Sequence, residues 1–239
     1  MADLEGRTLL VLGGSSGIGL ATARLAAALG ADVVLASHNP ERLKTAAGRI
    51  QGKARTEPAD LTDERSIAAL CGRLGRIDQL VVTGDQPHAG AIADLDIDDA
   101  KQSFEVKFWG SIRAVKHAAP RMPADGAIVL ISGVLAARPS AGMVTLAALN
   151  AAIEGLIRGL AVELSPIRVN GLSPGLVDTP SLDWMSGEQR AEMFAAFREA
   201  TPAKRVGTPE DCAAAILMLL TNRFASGEVV RLDGGYAIA

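Results

Sequence analysis

A glycine-rich turn near the start of the chain limits most strongly what this sequence can fold into. The apolar run Thr8 to Leu12 leads into the turn, and the alanine-rich stretch Leu20 to Leu29 follows it. The turn consists of Gly13, Gly14, Ser15, Ser16, Gly17, Ile18 and Gly19. A strand, a glycine turn and a helix in succession aim free N–H groups and the helix dipole at an anion such as a pyrophosphate. A strand-to-helix turn without a ligand fits the same residues, so the remainder of the chain must decide.

Three of the glycines have separate expected roles in this turn. Gly13 allows a tight reversal of the chain, and Gly17 lets the backbone approach phosphates without a Cβ in the way. Gly19 lets the new helix pack closely against the sheet. The pattern therefore predicts a phosphate-binding turn at the end of the first strand.

Size and charge exclude several classes of protein. The 239 residues suffice for one α/β domain, and the net charge of -3 argues against a nucleic-acid partner. Acids precede any apolar run in Met1 to Arg7, so no signal peptide is expected. No apolar stretch is expected to be long enough to span a membrane. Cys71 and Cys212 lack metal-ligand spacing and are expected to pack as small apolar groups, with no metal site. These features predict one cytoplasmic domain covering residues 1–239.

Strands alternate with helical stretches along the chain. The predicted strands cover residues 8–12, 32–36, 54–57, 79–83, 127–132, 167–172 and 228–232. Asn39 and Pro40 are expected to start one helix, and Thr62 to cap another that ends near Leu74. Longer helices are predicted over 98–119, over 145–164 and from Pro209 onward. The alternation predicts an α/β fold with a parallel sheet covered on both faces.

The end of the second strand bears on the choice of dinucleotide. An NAD site usually has a carboxylate about twenty residues after the glycines, where it binds the ribose 2′-hydroxyl. Ser37 occupies that place here, and His38 and Arg42 are close by in the sequence. No acid would repel a 2′-phosphate, so NADP(H) is favoured over NAD(H). The alternative is that these are ordinary surface loop residues.

Several further motifs occur in a familiar order. They are Leu12 to Gly19, Asp60-Leu61, Ile167 to Asn170 with Ser173 to Gly175 and Thr179-Pro180, Arg205 to Asp211, and Asp233 to Tyr236. With these motifs the chain resembles the short-chain dehydrogenase/reductase family over essentially its whole length. The resemblance implies a single-domain, doubly wound Rossmann fold with seven parallel strands in the order 3-2-1-4-5-6-7. It also implies a small-molecule substrate and a homotetramer or homodimer.

In the family that the chain resembles, the pair matched by Asp60-Leu61 usually contacts adenine, and the motifs matched between Ile167 and Pro180 hold the nicotinamide carboxamide. The resemblance therefore also assigns candidate cofactor-binding residues. They are Gly13, Ser15, Ser16, Gly17, Ile18, Gly19, Ser37, His38, Arg42, Asp60, Leu61, Thr83, Asn150, Pro174, Gly175, Val177 and Thr179.

The catalytic positions of the family hold other residue types here. The family uses an asparagine, a serine, a tyrosine and a lysine, and these places fall on Lys107, Gly133, Leu146 and Asn150. Tyr236, in the C-terminal motif, is the only tyrosine in the chain. A positioned acid or base is typically worth about 10²–10⁴-fold in rate. Ordinary carbonyl reduction is therefore expected to be weak unless other groups replace the missing ones.

Five residues are candidates for that replacement. Lys107 and Asn150 exchange the family's asparagine and lysine, so a lysine could supply its positive charge from the fourth helix; alternatively, Lys107 extends to solvent. Ser132 lies one residue from the serine place, on the opposite face of its strand. Asp85 and His88 lie in the loop after the fourth strand and could carry a proton, although a solvated loop pair fits as well.

Other polar residues are expected to be structural. Thr145 is expected to cap a helix, and His117 has no evident partner in the sequence.

The segment 181–203 is a candidate lid. It contains Trp184, and Met193 and Phe197 are spaced to share one helical face that could close over a ligand. Packing on the domain or on a neighbouring subunit is the alternative. Gly155 and Gly159 would permit close contact between helices of two subunits.

Three functions remain open at this point. The first is an NADP(H)-dependent oxidoreductase with unusual catalytic groups, acting on a carbonyl or alcohol. The second is a catalytically inactive NADP(H)-binding sensor or partner protein. The third is an isomerase or dehydratase on the same scaffold. The retained nicotinamide motifs favour the first, and the altered catalytic positions favour the second.

Overall fold

The computed structural model describes residues 4–183 and 185–239. Met1 to Asp3 and Trp184, which entered the predictions above, lie outside the described residues. The strands are β1 (Thr8–Leu12), β2 (Asp32–Ser37), β3 (Ala54–Pro58), β4 (Gln79–Val82), β5 (Ala127–Ile131), β6 (Arg168–Pro174) and β7 (Val229–Leu232). They pair in parallel in the order β3-β2-β1-β4-β5-β6-β7. The predicted fold class and strand order are confirmed.

Helices cover both faces of this sheet. They are α1 (Gly17–Ala28), α2 (Pro40–Ala47), α3 (Glu64–Leu74), α4 (Ile97–Phe104), α5 (Gly110–Ala118), α6 (Val144–Glu163), α7 (Gly187–Ala200) and α8 (Pro209–Thr221). A π-helical segment, Glu105–Trp109, joins α4 to α5. The predicted helix over 98–119 is therefore continuous but contains one wider turn, which the sequence pattern did not indicate.

The strands are buried on both sides, as a doubly wound sheet requires. In β1, Leu9 and Val11 belong to the core cluster that includes residues of α1 and α8. Leu10 and Leu12 belong to the cluster on the other face, with residues of α3, α5 and α6. This burial explains why the strands read as unbroken apolar runs rather than as alternating patterns.

Both cysteines are buried in these clusters. Cys71 and Cys212 are 0% and 1% exposed, and burial raises the pKa of each thiol, that of Cys212 to about 12. The prediction that they pack as small apolar groups is confirmed.

Two helix caps differ from the prediction. Thr62 donates hydrogen bonds to the carboxylate of Asp60 through its backbone N–H and its hydroxyl. The residue that caps α3 is Asp63, not Thr62. The N-cap position of α6 is Met143, and Thr145 lies inside the first turn rather than at the cap. By contrast, Asn39 caps α2 with Pro40 at its first position, as predicted.

Helix α6 also departs from an expectation. It has 20 residues and a mean hydropathy of 1.4, so it is long and apolar enough to cross a membrane by length and composition. The expectation that no apolar stretch reaches this length is therefore wrong. Core helices pass the same test, and the side chains of Leu149, Ile153 and Ile157 in α6 are fully buried.

Candidate active site

The glycine turn is held in place by β4. Gly13 has a φ of +86°, and a Cβ there would lie 2.6 Å from both Thr83 Oγ1 and Gly84 N. The Thr83 hydroxyl lies 3.2 Å from the carbonyl oxygens of Leu12 and Gly13. A Cβ on Gly19 would also meet Gly13 O, at 2.5 Å. Thr83 thus fixes the turn from behind. The positive φ of Gly13 agrees with the tight reversal expected there, and Gly19 allows the close packing expected of it.

The N-terminus of α1 retains unused donors. Ser16 occupies its N-cap position without a side-chain hydrogen bond, and the first turn contains no acid. Side chains cap five of the other helices, namely Asn39, Asp63, Asp96, Ser186 and Thr208. An uncapped helix N-terminus after a glycine turn is suited to bind a phosphate through N–H groups and the helix dipole.

The loop after β6 lies opposite this turn. Gly17 has a φ of +51°, and a Cβ there would lie 3.3 Å from Thr179 Cγ2. Val177 is buried and bridges to Gly207, which fixes the start of the loop. Pro174 is the last residue of β6, and Gly175 follows it. The structure therefore brings the predicted phosphate and nicotinamide segments together at the carboxyl edge of the sheet.

The predicted ribose region lies at the end of β2. The hydroxyls of Ser15 and Ser37 are 3.3 Å apart. His38 and Arg42 are exposed, and neither forms an ion pair within the described part of the chain. Ser37 itself brings no carboxylate to the end of β2, and the exposed side chains of His38 and Arg42 follow it in the sequence.

The predicted adenine contacts are held firmly. The Oδ1 atom of Asp60 accepts two hydrogen bonds of 2.8 Å from Thr62. Leu61 packs over Gly84 and Gly110, where added Cβ atoms would lie 2.3 Å and 3.0 Å from its side chain. These contacts fix the loop after β3 against β4 and α5.

Lys107 forms the centre of a buried polar cluster. Its side-chain nitrogen lies 3.0 Å from Asp85 Oδ2, 3.0 Å from Asn150 Oδ1 and 3.1 Å from the backbone oxygen of Ser132. Lys107 is only 6% exposed, which contradicts the alternative in which it extends to solvent. An ammonium group has three hydrogens, so these acceptors satisfy it completely.

Asn150 and Gly133 fit each other closely. A Cβ on Gly133 would lie 2.6 Å from Asn150 Nδ2. Leu146, in the predicted tyrosine place, lies one turn before Asn150 on the same face of α6. Three of the four places predicted from the family, those of Lys107, Gly133 and Asn150, are therefore in direct contact.

Ser132 turns its hydroxyl away from this group. The hydroxyl lies 3.1 Å from the backbone oxygen of Asn150 and 3.2 Å from Glu154 Oε1. It therefore anchors α6, and only its backbone oxygen takes part in the Lys107 cluster. Sequence reasoning missed Glu154, although its spacing of four from Asn150 indicates the same helical face.

His88 and His117, two of the histidines discussed from the sequence, form hydrogen bonds outside the Lys107 cluster. His88 Nδ1 is 3.1 Å from Ser103 Oγ, and among the described contacts none joins His88 to Lys107 or Asp85. His117 Nε2 is 3.1 Å from Glu64 Oε1, so the expectation that it has no partner is wrong. Hydrogen bonds from Lys116 and then His117 hold the pKa of Glu64 below its usual value.

The candidate lid is tied to the domain at both ends. Near its start, Arg190 of α7 forms ion pairs with Asp178 and Asp183. Near its end, the ring of Phe197 stacks on Tyr236 with centroids 5.0 Å apart, and the Arg138 guanidinium lies 4.3 Å above the Tyr236 ring. The only tyrosine of the chain is thus part of this stack and has no contact with the Lys107 cluster among the described residues. Sequence reasoning did not find the partners of Tyr236, because Arg138 and Phe197 come from distant segments.

Comparisons with known proteins agree with this architecture. Residues 13–237 match the family model described as enoyl-(acyl carrier protein) reductase. The chain is 32% identical over 256 residues to the short-chain dehydrogenase/reductase ucsE of Acremonium, with 99% of this chain and 97% of that protein covered.

A second relative and a solved structure extend the comparison. The chain is 35% identical over 244 residues to cis-4-hydroxycyclohexanecarboxylate dehydrogenase of Sinomonas cyclohexanicum, with 96% of each covered. The crystal structure of a small-chain dehydrogenase in complex with NADPH matches with a TM-score of 0.86 and 33% identity, over 98% of this chain and 99% of that one. With a family model matched over nearly its whole length and relatives at this identity, the chain belongs to the short-chain dehydrogenase/reductase family of oxidoreductases.

Proposed function

We propose that this protein is an NADP(H)-dependent oxidoreductase that acts on a small carbonyl or alcohol substrate with non-standard catalytic groups. The observation that carries the proposal is the uncapped N-terminus of α1 beside the glycine turn, with the segment 174–179 facing it. A relative that is a dehydrogenase and a similar structure that contains NADPH support it.

The residues present fit such a cofactor. The N–H groups at the start of α1 would hold the pyrophosphate, with Gly17 leaving room for it. Ser37, His38 and Arg42 would meet the 2′-phosphate, because Ser37 adds no negative charge and the other two can donate hydrogen bonds. When bound, the cofactor supplies or accepts the hydride.

The cofactor preference is tested by titrating the protein with NADPH and NADH and following their fluorescence. We expect tighter binding of NADPH. Replacing Ser37 by Asp places a carboxylate beside the 2′-phosphate, so Ser37→Asp should shift the preference toward NADH through charge repulsion. Ser226→Asp, the same change at an exposed position before β7, is the control and should leave the preference unchanged. Equal affinities, or tighter NADH, in the wild type would contradict the proposal.

Turnover on ordinary ketones is expected to be slow. Leu146 cannot donate a proton, and the loss of a positioned acid typically costs about 10²–10⁴-fold in rate. Stopped-flow measurement of NADPH oxidation with a panel of ketones and aldehydes tests this expectation. Rates of the ordinary family level would show that another acid is present, and substitution of Asp85 and His88 would then identify it.

A non-catalytic NADP(H)-binding protein is the second candidate. The observation that favours it is the saturation of the Lys107 ammonium, whose hydrogens all bind protein oxygens. Tight NADPH binding with no hydride transfer to any carbonyl in the panel would select this function over the first.

We also propose that the protein is a cytoplasmic homodimer or homotetramer that uses α6 as an interface. Gly155 and Gly159 are exposed with no atom within 4 Å of an added Cβ, and Val162 is 81% exposed. Sedimentation equilibrium should show an oligomer, and Gly159→Arg should shift it toward monomer. Ala69→Arg, on the exposed face of α3, is the control. A monomeric wild-type protein would contradict this proposal.

A further inference from the structure

The orientation of the Asn150 amide is determined by its neighbour. Lys107 Nζ lies 3.0 Å from Asn150 Oδ1. An ammonium group can only donate hydrogen bonds, so the amide must turn its oxygen toward Lys107. The opposite orientation would place two sets of hydrogens against each other. Lys107 therefore selects one of the two amide orientations that otherwise look alike.

The amide nitrogen consequently points to the other side. It lies beside Gly133, where it occupies space that a Cβ would need, since a Cβ there would come within 2.6 Å of Asn150 Nδ2. Asn150 is only 5% exposed, and among the described residues its Nδ2 group donates no hydrogen bond. A donor of this kind in a side chain more than nine-tenths buried is unfavourable unless water or a ligand accepts from it.

The other polar groups of the cluster are already engaged. Lys107 has its three hydrogens on Asp85, Asn150 and the Ser132 carbonyl. The Ser132 hydroxyl faces α6, where its one hydrogen lies between the backbone oxygen of Asn150 and Glu154 Oε1. Asn150 Nδ2 is thus the donor of this cluster that remains available for a ligand.

We propose that Asn150 Nδ2 binds a ligand oxygen at Gly133 and that Lys107 is the positioning residue that holds the amide in the required orientation. The acceptor is an uncharged oxygen, either the carbonyl oxygen of a substrate or a hydroxyl of the nicotinamide ribose. The inference rests on the proposed function, because it takes the ligands from an NADP(H)-dependent oxidoreductase. The positive charge of Lys107 on the amide oxygen polarises the N–H bonds and strengthens the donor.

NMR of protein labelled with ¹⁵N-asparagine tests the proposal without relying on turnover. The Asn150 side-chain resonances are assigned by their loss in Asn150→Asp and are then followed in two arms, with NADPH alone and with cyclohexanone in the presence of NADP⁺. A shift with NADPH identifies the ribose as the source of the oxygen. A shift only on addition of cyclohexanone identifies the substrate carbonyl.

Variants supply the second readout. Asn150→Asp keeps the shape and an oxygen toward Lys107 but replaces the donor by a negatively charged acceptor. Affinity for the ligand identified by NMR should therefore fall at least about tenfold, because the lost hydrogen bond alone is worth roughly that factor. Lys107→Met should move the Asn150 amide resonances in the absence of ligand and weaken the same affinity. Lys116→Met, which removes an exposed lysine paired with Glu64, is the control and should do neither.

The outcomes separate the two proposals. Intact NADPH binding with unmoved Asn150 resonances in both arms would overturn the role of Asn150 and leave the proposed function standing. Absence of NADPH binding would overturn the proposed function and this inference together. Unchanged Asn150 resonances in ligand-free Lys107→Met would show that Lys107 does not position the amide.

Discussion

Gly133, Asn150 and Lys107 form one interdependent set at the scale of single residues. The Asn150 amide occupies the space beside Gly133, and the Lys107 ammonium holds that amide in place. None of the three could revert alone to the residue type that the family uses without disturbing the other two. Their packing argues that the exchanged residues form a built site.

Gly133→Ser tests this interdependence. Gly133 has an extended backbone with φ 175° and ψ 153°, so a serine would suffer from crowding rather than from backbone strain. With a Cβ only 2.6 Å from Asn150 Nδ2, we expect a loss of about 1–3 kcal/mol in the free energy of unfolding. Denaturant unfolding measures it. Gly72→Ser, at an exposed position of α3 where an added Cβ meets only Arg121 at 3.8 Å, is the control, and an equal effect in both variants would contradict the argument.

The sequence indicated which residues belong to this site but not how they meet. Lys107 and Asn150 could be named because flanking residues fix their places in the helices. The ion pair between Lys107 and Asp85 could not, because the loop from Gly84 to His88 has no periodicity that fixes the direction of its side chains. The burial of Lys107 depends on these distant partners, whereas its residue type alone indicates exposure.

At the scale of elements, local signals were sufficient where a residue type dictates backbone geometry. The glycine turn, the Asn39-Pro40 helix start and the apolar strands all carry such signals, and the structure has them as predicted. The π-helical segment Glu105–Trp109 carries none, because its wider turn leaves the apolar pattern nearly unchanged. Such segments often occur at functional sites, and this one contains Lys107.

The anchoring of α7 gives a prediction at this scale. Arg190 joins the helix to Asp178 and Asp183, so Arg190→Met should release the segment 178–190. We expect its backbone amides to exchange hydrogen several-fold faster, with little change in the global melting temperature. Hydrogen-exchange mass spectrometry measures this. Arg198→Met, at an exposed position of the same helix, is the control, and equal exchange in both variants would refute the anchoring role.

At the scale of the whole molecule, Asp78 links the starts of the two central strands. Its carboxylate is 2% exposed and accepts hydrogen bonds from Thr8 N, Arg7 and Arg76. Burial alone would raise the pKa of Asp78, but these hydrogen bonds and the arginine charges together hold it below its usual value. Because the folded-state pKa is lowered, the carboxylate stabilises the fold at neutral pH.

The pH dependence of stability follows from the direction of this shift. The contribution of Asp78 is fully present above the unfolded-state pKa of about 3.9 and is lost as the pH falls through the lower folded-state pKa. Asp78→Asn should therefore lower the free energy of unfolding by about 1–3 kcal/mol at pH 7 and flatten its decline in acid. Urea unfolding between pH 2 and pH 7 tests this. Asp94→Asn, at an exposed position before α4, is the control and should change neither.

The contacts of the glycine turn also set the order in which this protein can become functional during its synthesis. The turn is complete only when Thr83, 70 residues beyond Gly13, bonds to it, and when Thr179 packs against Gly17. A ribosome releases these segments well after the turn itself has emerged, at about 5–20 residues per second. A nascent or prematurely terminated chain that stops before β6 would carry every glycine of the motif and still lack the facing half of the site. Dinucleotide capture would thus require synthesis through Thr179, and products truncated before it would not compete for the cellular cofactor pool.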